Sequence, residues 1–162
     1  MGALDVDHLR SWVGRSEVAE DSVTAVPVKA LSATLDCDDS SPRPGDPLPP
    51  LWHWLYFLPL HRQSELGPDG HAKRGGFLPP VPLPRRMWAG GRFMFHQRLR
   101  VGESIRRSAT IAGVTYKHGR TGPLVFVLVR HEIAGENGLA LVEEQDIVCR
   151  KAPGAGEALR RI

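Results

Sequence analysis

Leu124–Arg150, LVFVLVRHEIAGENGLALVEEQDIVCR, reads as two long strands and the hairpin between them. Leu124 to Val129 is a continuous apolar run, the pattern of a strand covered on both faces. Gly135-Glu136-Asn137-Gly138 is a hairpin turn, because an Asn-Gly pair tolerates φ > 0 at both positions. Leu139 to Arg150 alternates and forms the last strand. Upstream, His118-Gly119-Arg120-Thr121-Gly122 supplies another turn. Ser104 to Lys117 alternates loosely. Ile105, Ala109 and Ile111 share one face, Val114 and Tyr116 the other, so a bulge near Gly113 is predicted. Val101-Gly102-Glu103 is a turn, and before it Phe93 and Phe95 alternate with Met94 and His96. From Arg92 to Arg150 the chain is therefore an antiparallel meander, with Leu124 to Val129 at its centre.

The first half reads differently. Residues 4–36 look helical with interruptions: Leu4, Leu9, Trp12 and Val13 mark a short amphipathic stretch ending near Gly14. Asp21-Ser22 is placed to cap a second helix, with Val28, Leu31 and Leu35 on one stripe and Pro27 in its first turns. DCDDSSPRPGDP (36–47) is a turn-rich loop. PLWHWLYFLPL (50–60) is the most hydrophobic segment. Pro50 suits the first position of a helix and Pro59 closes it, so a buried helix is expected, or a buried strand. A polar loop follows from Gln63 to Gly76. The Pro-rich stretch RGGFLPPVPLPRRMWAGG (74–91) then ends in a turn at Trp88-Ala89-Gly90-Gly91.

The order of elements gives an α+β protein. A curved antiparallel sheet wraps around one central apolar helix, which is the hot-dog fold. One domain is expected over residues 1–151, with 152–162 (APGAGEALRRI) as a flexible C-terminal tail. The net charge of +3 is too small to argue for nucleic acid. Cys37 and Cys149 have no zinc-type spacing, so no metal is expected, and two free thiols fit a reducing compartment. The N-terminus lacks the apolar core of a signal peptide, and no segment approaches membrane-spanning length. Cytoplasmic residence is expected.

The stretches GGFLPPVPLPRRMWAGGRFMFHQRLRVGE (75–103), GRTGPLVFVLVRHEI (119–133) and EEQDIVCR (143–150) resemble the MaoC-like hot-dog hydratases and dehydratases. The likeness is to their N-terminal-half type, the mesaconyl-CoA and itaconyl-CoA hydratases or hydroxyacyl-thioester dehydratase type 2. It runs from about Leu9 to Arg150. The resemblance implies a CoA or acyl-carrier-protein thioester as substrate and reversible addition of water to an enoyl thioester. It implies no cofactor beyond the CoA or phosphopantetheine carried by the substrate. Catalytic halves of this family carry Asp-x-Asn-Pro-x-His, in which Asp and His serve as base and acid. Here the matching place is Leu35 to Pro42; Asp36 stands for the Asp, and Ser41 occupies the His position. The resemblance therefore implies a homodimer or a heterodimer in which a second hot-dog subunit supplies the dyad. Two other readings stay open: a non-catalytic acyl-thioester scaffold, and a stand-alone lyase or cyclase on a polyketide-like substrate.

Several residues are candidates for the site. Asp36 and His53 are the catalytic candidates of this chain. His53 also reads as a packed or capping histidine, and Asp36, Asp38 and Asp39 as solvated turn residues. His96 and His131 sit in strands and are expected to face outward or to bond backbone. Trp88, Gly90 and Gly91 would let a thioester pass close to backbone N–H groups, or simply form a tight entry to the strand. Lys73, Arg74, Arg85 and Arg86 would grip nucleotide or pantetheine phosphates, or serve as a solvated face.

Overall fold

The computed structural model describes residues 4–38, 41–120 and 122–152. Five strands form one antiparallel sheet: β1 (Ser16–Ser22), β2 (Arg85–Phe95), β3 (Ser104–Gly119), β4 (Gly122–Gly135) and β5 (Gly138–Arg150). Their order across the sheet is β1-β3-β4-β5-β2. Two α-helices, α1 (Val6–Arg10) and α2 (Ala25–Thr34), flank β1 in sequence.

The apolar run of β4 lies at the centre of the sheet, as its sequence requires. Val125, Val127 and Val129 are buried on one face, whereas Leu124, Phe126 and Leu128 on the other are only half-buried. The bulge foreseen near Gly113 falls between Ile111 and Gly113. It changes which face the later residues occupy. The extra residue, Ala112, resets the alternation, so Val114 joins Ile111 and Ala109 in one buried cluster instead of pointing away. In the β4–β5 hairpin Gly138 takes φ 96°, while Asn137 keeps a negative φ.

Four expectations need correction. Residues 16–22, SEVAEDS, are not helical; they form the edge strand β1, paired along its whole length with β3. The segment PLWHWLYFLPL is not a buried helix. It makes a single 3-10 turn, Trp52–Leu55, between left-handed residues at Leu51 (φ 71°) and Phe57 (φ 56°). His53, Tyr56 and Phe57 point inward while Trp54, Leu58 and Leu60 are exposed. The left-handed Leu51 and Phe57 break the segment on both sides of the turn, and the longer helix, α2, packs beside the turn and contributes Val28 to the core. Strand β2 does not continue the meander into β3. It pairs with β5 at the far edge. The chain between them is tied to the 45–48 loop, where Leu48 N–H donates to Leu99 O at 2.7 Å and Val101 N–H to Asp46 O at 2.9 Å. Finally, Trp88-Ala89-Gly90-Gly91 is no turn; it lies inside β2, where a bulge falls between Trp88 and Gly90.

Two apolar clusters cover the two ends of one sheet face. The first gathers Val23 and Val28 with Leu48, Tyr56, Phe57, Ile105 and Ile133. The second gathers Leu9, Val81 and Leu83 with Ala109, Ile111, Val127 and Val129. The expected tail 152–162 lies outside the described residues from 153 onward. Among the described residues no helix is long and apolar enough to cross a membrane, and no group of His, Cys, Asp or Glu could hold a metal ion.

Candidate functional site

Between the two apolar clusters the same inward face turns polar. Strand alternation directs Ile105, Arg107 and Ala109 of β3 the same way as Val129, His131 and Ile133 of β4 and Leu141, Glu143 and Gln145 of β5. His131 and Glu143 are direct partners across the β4–β5 pair, and Phe93 of β2 faces Glu143 from the other side.

The 3-10 turn closes over this row. It is anchored at its exit: Tyr56 Oη donates to Thr24 O at 2.6 Å, and Phe57 N–H donates to Asp21 Oδ2 at 2.7 Å. Burial, with Asp21 adding to it, pushes the Tyr56 phenol up to about 12, so the hydroxyl stays a donor. The anchored turn brings His53 and Trp54 onto Glu143. His53 Nε2 lies 3.1 Å from Glu143 Oε2, and both side chains are almost wholly buried. Trp54 Nε1–H donates to Oε1 at 3.1 Å and to Oε2 at 3.2 Å, and Gln145 Nε2 donates to Oε1 at 2.7 Å. Burial alone would push the Glu143 carboxyl up. The hydrogen bonds from His53, Gln145 and Trp54 outweigh it and hold the group below its ordinary range, as a carboxylate. A carboxylate only accepts, so His53 donates through Nε2.

His131 is in the opposite condition. It is 9% exposed, and neither ring nitrogen makes a hydrogen bond of regular geometry, although Gln145 stands close enough to act on the ring. Burial pushes its pKa down against the pull of Glu143, and Arg107 pushes it further down, so the ring is neutral. Arg107 Nε is likewise buried without a partner, and the guanidinium lies over the Phe57 ring at 5.1 Å. These groups line a cavity of about 450 Å³, with Trp54, Trp88 and Ile133 also in its wall. A second cavity of about 330 Å³ opens on the other side of His53, lined by Leu48, Pro49, Leu51, Phe95 and Leu99. A buried imidazole–carboxylate pair on a cavity wall can relay a proton, and a partly buried guanidinium beside it can hold negative charge.

The candidate residues separate into three groups. His53 sits at the heart of the polar row. Trp88 stands at the cavity mouth, 60% exposed, with its ring 6.4 Å from that of Trp54. At Gly91 a Cβ would crowd the Trp88 ring and Glu144 O at 3.2 Å; Gly90 faces open space. Asp36 lies outside both cavities, exposed just past α2 at φ 55°. Asp39 falls outside the described residues. The basic group is engaged inside the Pro-rich loop. Lys73 Nζ donates to Ser64 O at 2.9 Å. Arg74 donates to the carbonyls of Val81, Leu83 and Pro84, and with Arg86 flanks Asp69 at 3.7 and 3.5 Å. Arg85 alone of the four is exposed and unpaired.

His131 was expected to face outward or to bond backbone, and it faces inward with no bond to backbone. Arg107 was read only as one of the arginines of a basic middle stretch that would suit a phosphate-bearing ligand or a solvated face, and Glu143 and Gln145 were not singled out as site residues. The signal for them was available: on a strand whose inward positions read Leu141, Ile147 and Cys149, Glu143 and Gln145 are polar side chains on the buried face.

The model of the hydroxyacyl-thioester dehydratase type 2 family matches residues 51–161. The mesaconyl-C(4)-CoA hydratase of Chloroflexus aurantiacus is 50% identical over 145 residues, covering 90% of this chain and 51% of that protein. The chain thus spans about half the length of this curated relative. Among solved structures, the ChsH1-ChsH2 complex from Mycobacterium tuberculosis superposes with a TM-score of 0.62 at 15% identity, covering 93% of this chain and 91% of that one. A hot-dog-like protein from Thermanaerovibrio acidaminovorans gives 0.53 at 9% identity, covering 92% and 90%. These likenesses establish the α+β hot-dog fold.

Proposed function

We propose a function from a plain premise: the chain belongs to the hydroxyacyl-thioester dehydratase type 2 family. It is the hot-dog half of an enoyl-thioester hydratase or 3-hydroxyacyl-thioester dehydratase, a hydro-lyase, and the cavity over the polar row receives the acyl part of a CoA or carrier-protein thioester. The observation that carries this reading is the 50% identity over 145 residues to a mesaconyl-C(4)-CoA hydratase.

Hydration adds hydroxyl to the β-carbon of the enoyl thioester and a proton to the α-carbon, and dehydration reverses both steps. It needs a base for water, an acid for carbon and donors for the thioester oxygen. Leu35 to Pro42 lacks the Asn-Pro-x-His part of the family's catalytic signature. The Asp/His dyad therefore comes from a second hot-dog unit. That unit pairs along the free edge of β2, where Met87, Trp88, Met94 and Phe95 are 43–62% exposed. No cofactor is required beyond the CoA or phosphopantetheine of the substrate. Two free cysteines suit a reducing cytoplasm.

The test is a hydration assay with crotonyl-CoA and mesaconyl-C(4)-CoA. The chain alone is expected to bind thioester with negligible turnover, and turnover to appear on mixing with a partner that carries the Asp/His pair. Failure of every such mixture would leave a binding or scaffold protein. A stand-alone lyase is favoured by one observation, the buried His53–Glu143 pair at 3.1 Å. Hydration by the isolated chain at an enzymatic rate, abolished by His53→Ala, would establish that reading in place of ours.

A further inference from the structure

Glu143 does more than carry a compensated charge. Trp54 and Gln145 donate to its carboxylate and hold it in place, and it in turn accepts from Nε2 of His53 at 3.1 Å. An imidazole that donates through Nε2 keeps its lone pair on Nδ1. Nδ1 of His53 makes no hydrogen bond among the described residues, and it is not sealed off: the buried unpartnered nitrogens of this row belong to His131 and to Nε of Arg107. The His53 ring stands in the walls of both cavities, so the lone pair is open to a molecule bound there. Arg107, half-buried, borders the larger cavity as well.

A base oriented by a carboxylate, with a cation in the same wall, is the set of groups that acyl transfer uses. Enoyl hydration asks for more, an acid aimed at the α-carbon, and the other imidazole of this wall, His131, is neutral and a weak acid. Thioester cleavage needs no such acid, because a thiol is acidic enough to leave as the thiolate. We propose that the chain has a further activity at this cavity, hydrolysis of the acyl thioester, with His53 as the base and Glu143 as its positioning residue. Nδ1 takes a proton from water as the water oxygen bonds to the thioester carbonyl carbon, and Arg107 offers positive charge to the carbonyl oxygen. The carbon–sulfur bond then breaks, the proton passes from Nδ1 to the departing sulfur, and a carboxylic acid and a free thiol remain. This rests on the thioester reading above and adds a reaction for which no second hot-dog unit is needed.

The test uses butyryl-CoA, a saturated thioester with no double bond to hydrate. Release of free thiol by the purified full chain, followed with a thiol reagent, should exceed the spontaneous rate by about 100-fold or more. His53→Gln keeps a donor for Glu143 and removes the base, so it should cost about 100-fold or more in kcat. Glu143→Gln should lower kcat by about tenfold or more with KM unchanged, since it acts on the orientation of the base and not on the ligand. Titration calorimetry with the same thioester runs beside the assay. Butyryl-CoA that is bound but not cleaved overturns the hydrolysis and leaves the thioester reading standing. Butyryl-CoA that is not bound overturns both. Thiol release that survives His53→Gln also overturns the proposal, because the base then lies elsewhere. A Glu143→Gln variant with wild-type kcat removes Glu143 from it. Should His53→Gln fail to fold, the wild-type rate and the kcat-against-KM split of Glu143→Gln decide the question.

Discussion

Val125, Val127 and Val129 share a sheet face with Arg107, His131, Glu143 and Gln145, yet the two sets are built on different terms. The valines are held by apolar burial, which is undirected and tolerates many neighbours. The polar set is held by partners at fixed distances, and half of it has none. Strand alternation explains the orientation of both sets equally. Only the chemistry of the inward side chain distinguishes packing from a site.

The largest test of this contrast is Glu143→Ala. It leaves the donors of His53, Trp54 and Gln145 unmet and should cost about 3–5 kcal/mol in urea unfolding. Ile111→Ala, in the apolar region, should cost about 2–5 kcal/mol for the cavity alone. The double change His53→Phe with Glu143→Leu converts the middle of the face into more of its ends, and should recover much of the loss. A Glu143→Ala chain as stable as wild type would mean the carboxylate is no part of the fold.

A middle-sized effect separates the halves of the polar row by pH. The folded-state pKa of His131 lies below its ordinary value of 6.5, because burial disfavours the charged ring. Between that ordinary value and the lower folded one, the unfolded chain binds a proton that the folded chain does not, so stability falls as pH drops from about 7 toward 5. Glu143 is also depressed, and its contribution is fully present above the ordinary carboxylate range and is lost as pH falls below it. His131→Gln should flatten the upper slope and leave the lower one. Chemical denaturation at half-unit pH steps reads both, and an unchanged upper slope in the variant would assign it to another group.

The smallest effect is expected on the outer face. Arg92 pairs with Glu144 at 2.8 Å and Asp146 at 2.9 Å, but at the surface, where the Arg92 side chain is 57% exposed. Arg92→Ala should leave the thermal midpoint unmoved at physiological salt, since exposed ion pairs are screened. A drop comparable to that of Glu143→Ala would erase the distinction between inner and outer charges.

Much of the sheet was legible because long strands carry their own pattern. The doubly apolar Leu124–Val129, the bulge near Gly113 and the turn ending at Gly138 all read directly from the residues. Strand β1 was not legible: SEVAEDS has one valine and one alanine among polar residues, and it is a strand only because β3 offers it an edge. PLWHWLYFLPL misled because apolar content specifies burial and not conformation; Leu51 and Phe57 are left-handed, and the Phe57 N–H is held by Asp21, 36 residues away in the chain. Within the site, His53 was visible as a histidine among aromatics, but its partner Glu143 is 90 residues away in the chain and only the pairing of strands reveals it.

The three bulges share a chemical detail. In each, the surplus residue is an alanine: Ala89 in β2, Ala112 in β3 and Ala140 in β5. Ala89 and Ala112 are exposed, and the pairs on either side of them remain in sequence with their partners. Loss of either residue would close the ladder without shifting any other pair. Ala140 is different, buried, with its carbonyl accepting from His96 N–H at 2.8 Å and Gln97 N–H at 3.1 Å. Over evolutionary time, then, this sheet has two places where it can gain or lose a residue and keep its register, and a third, next to the hairpin, where the same deletion would release the chain leaving β2.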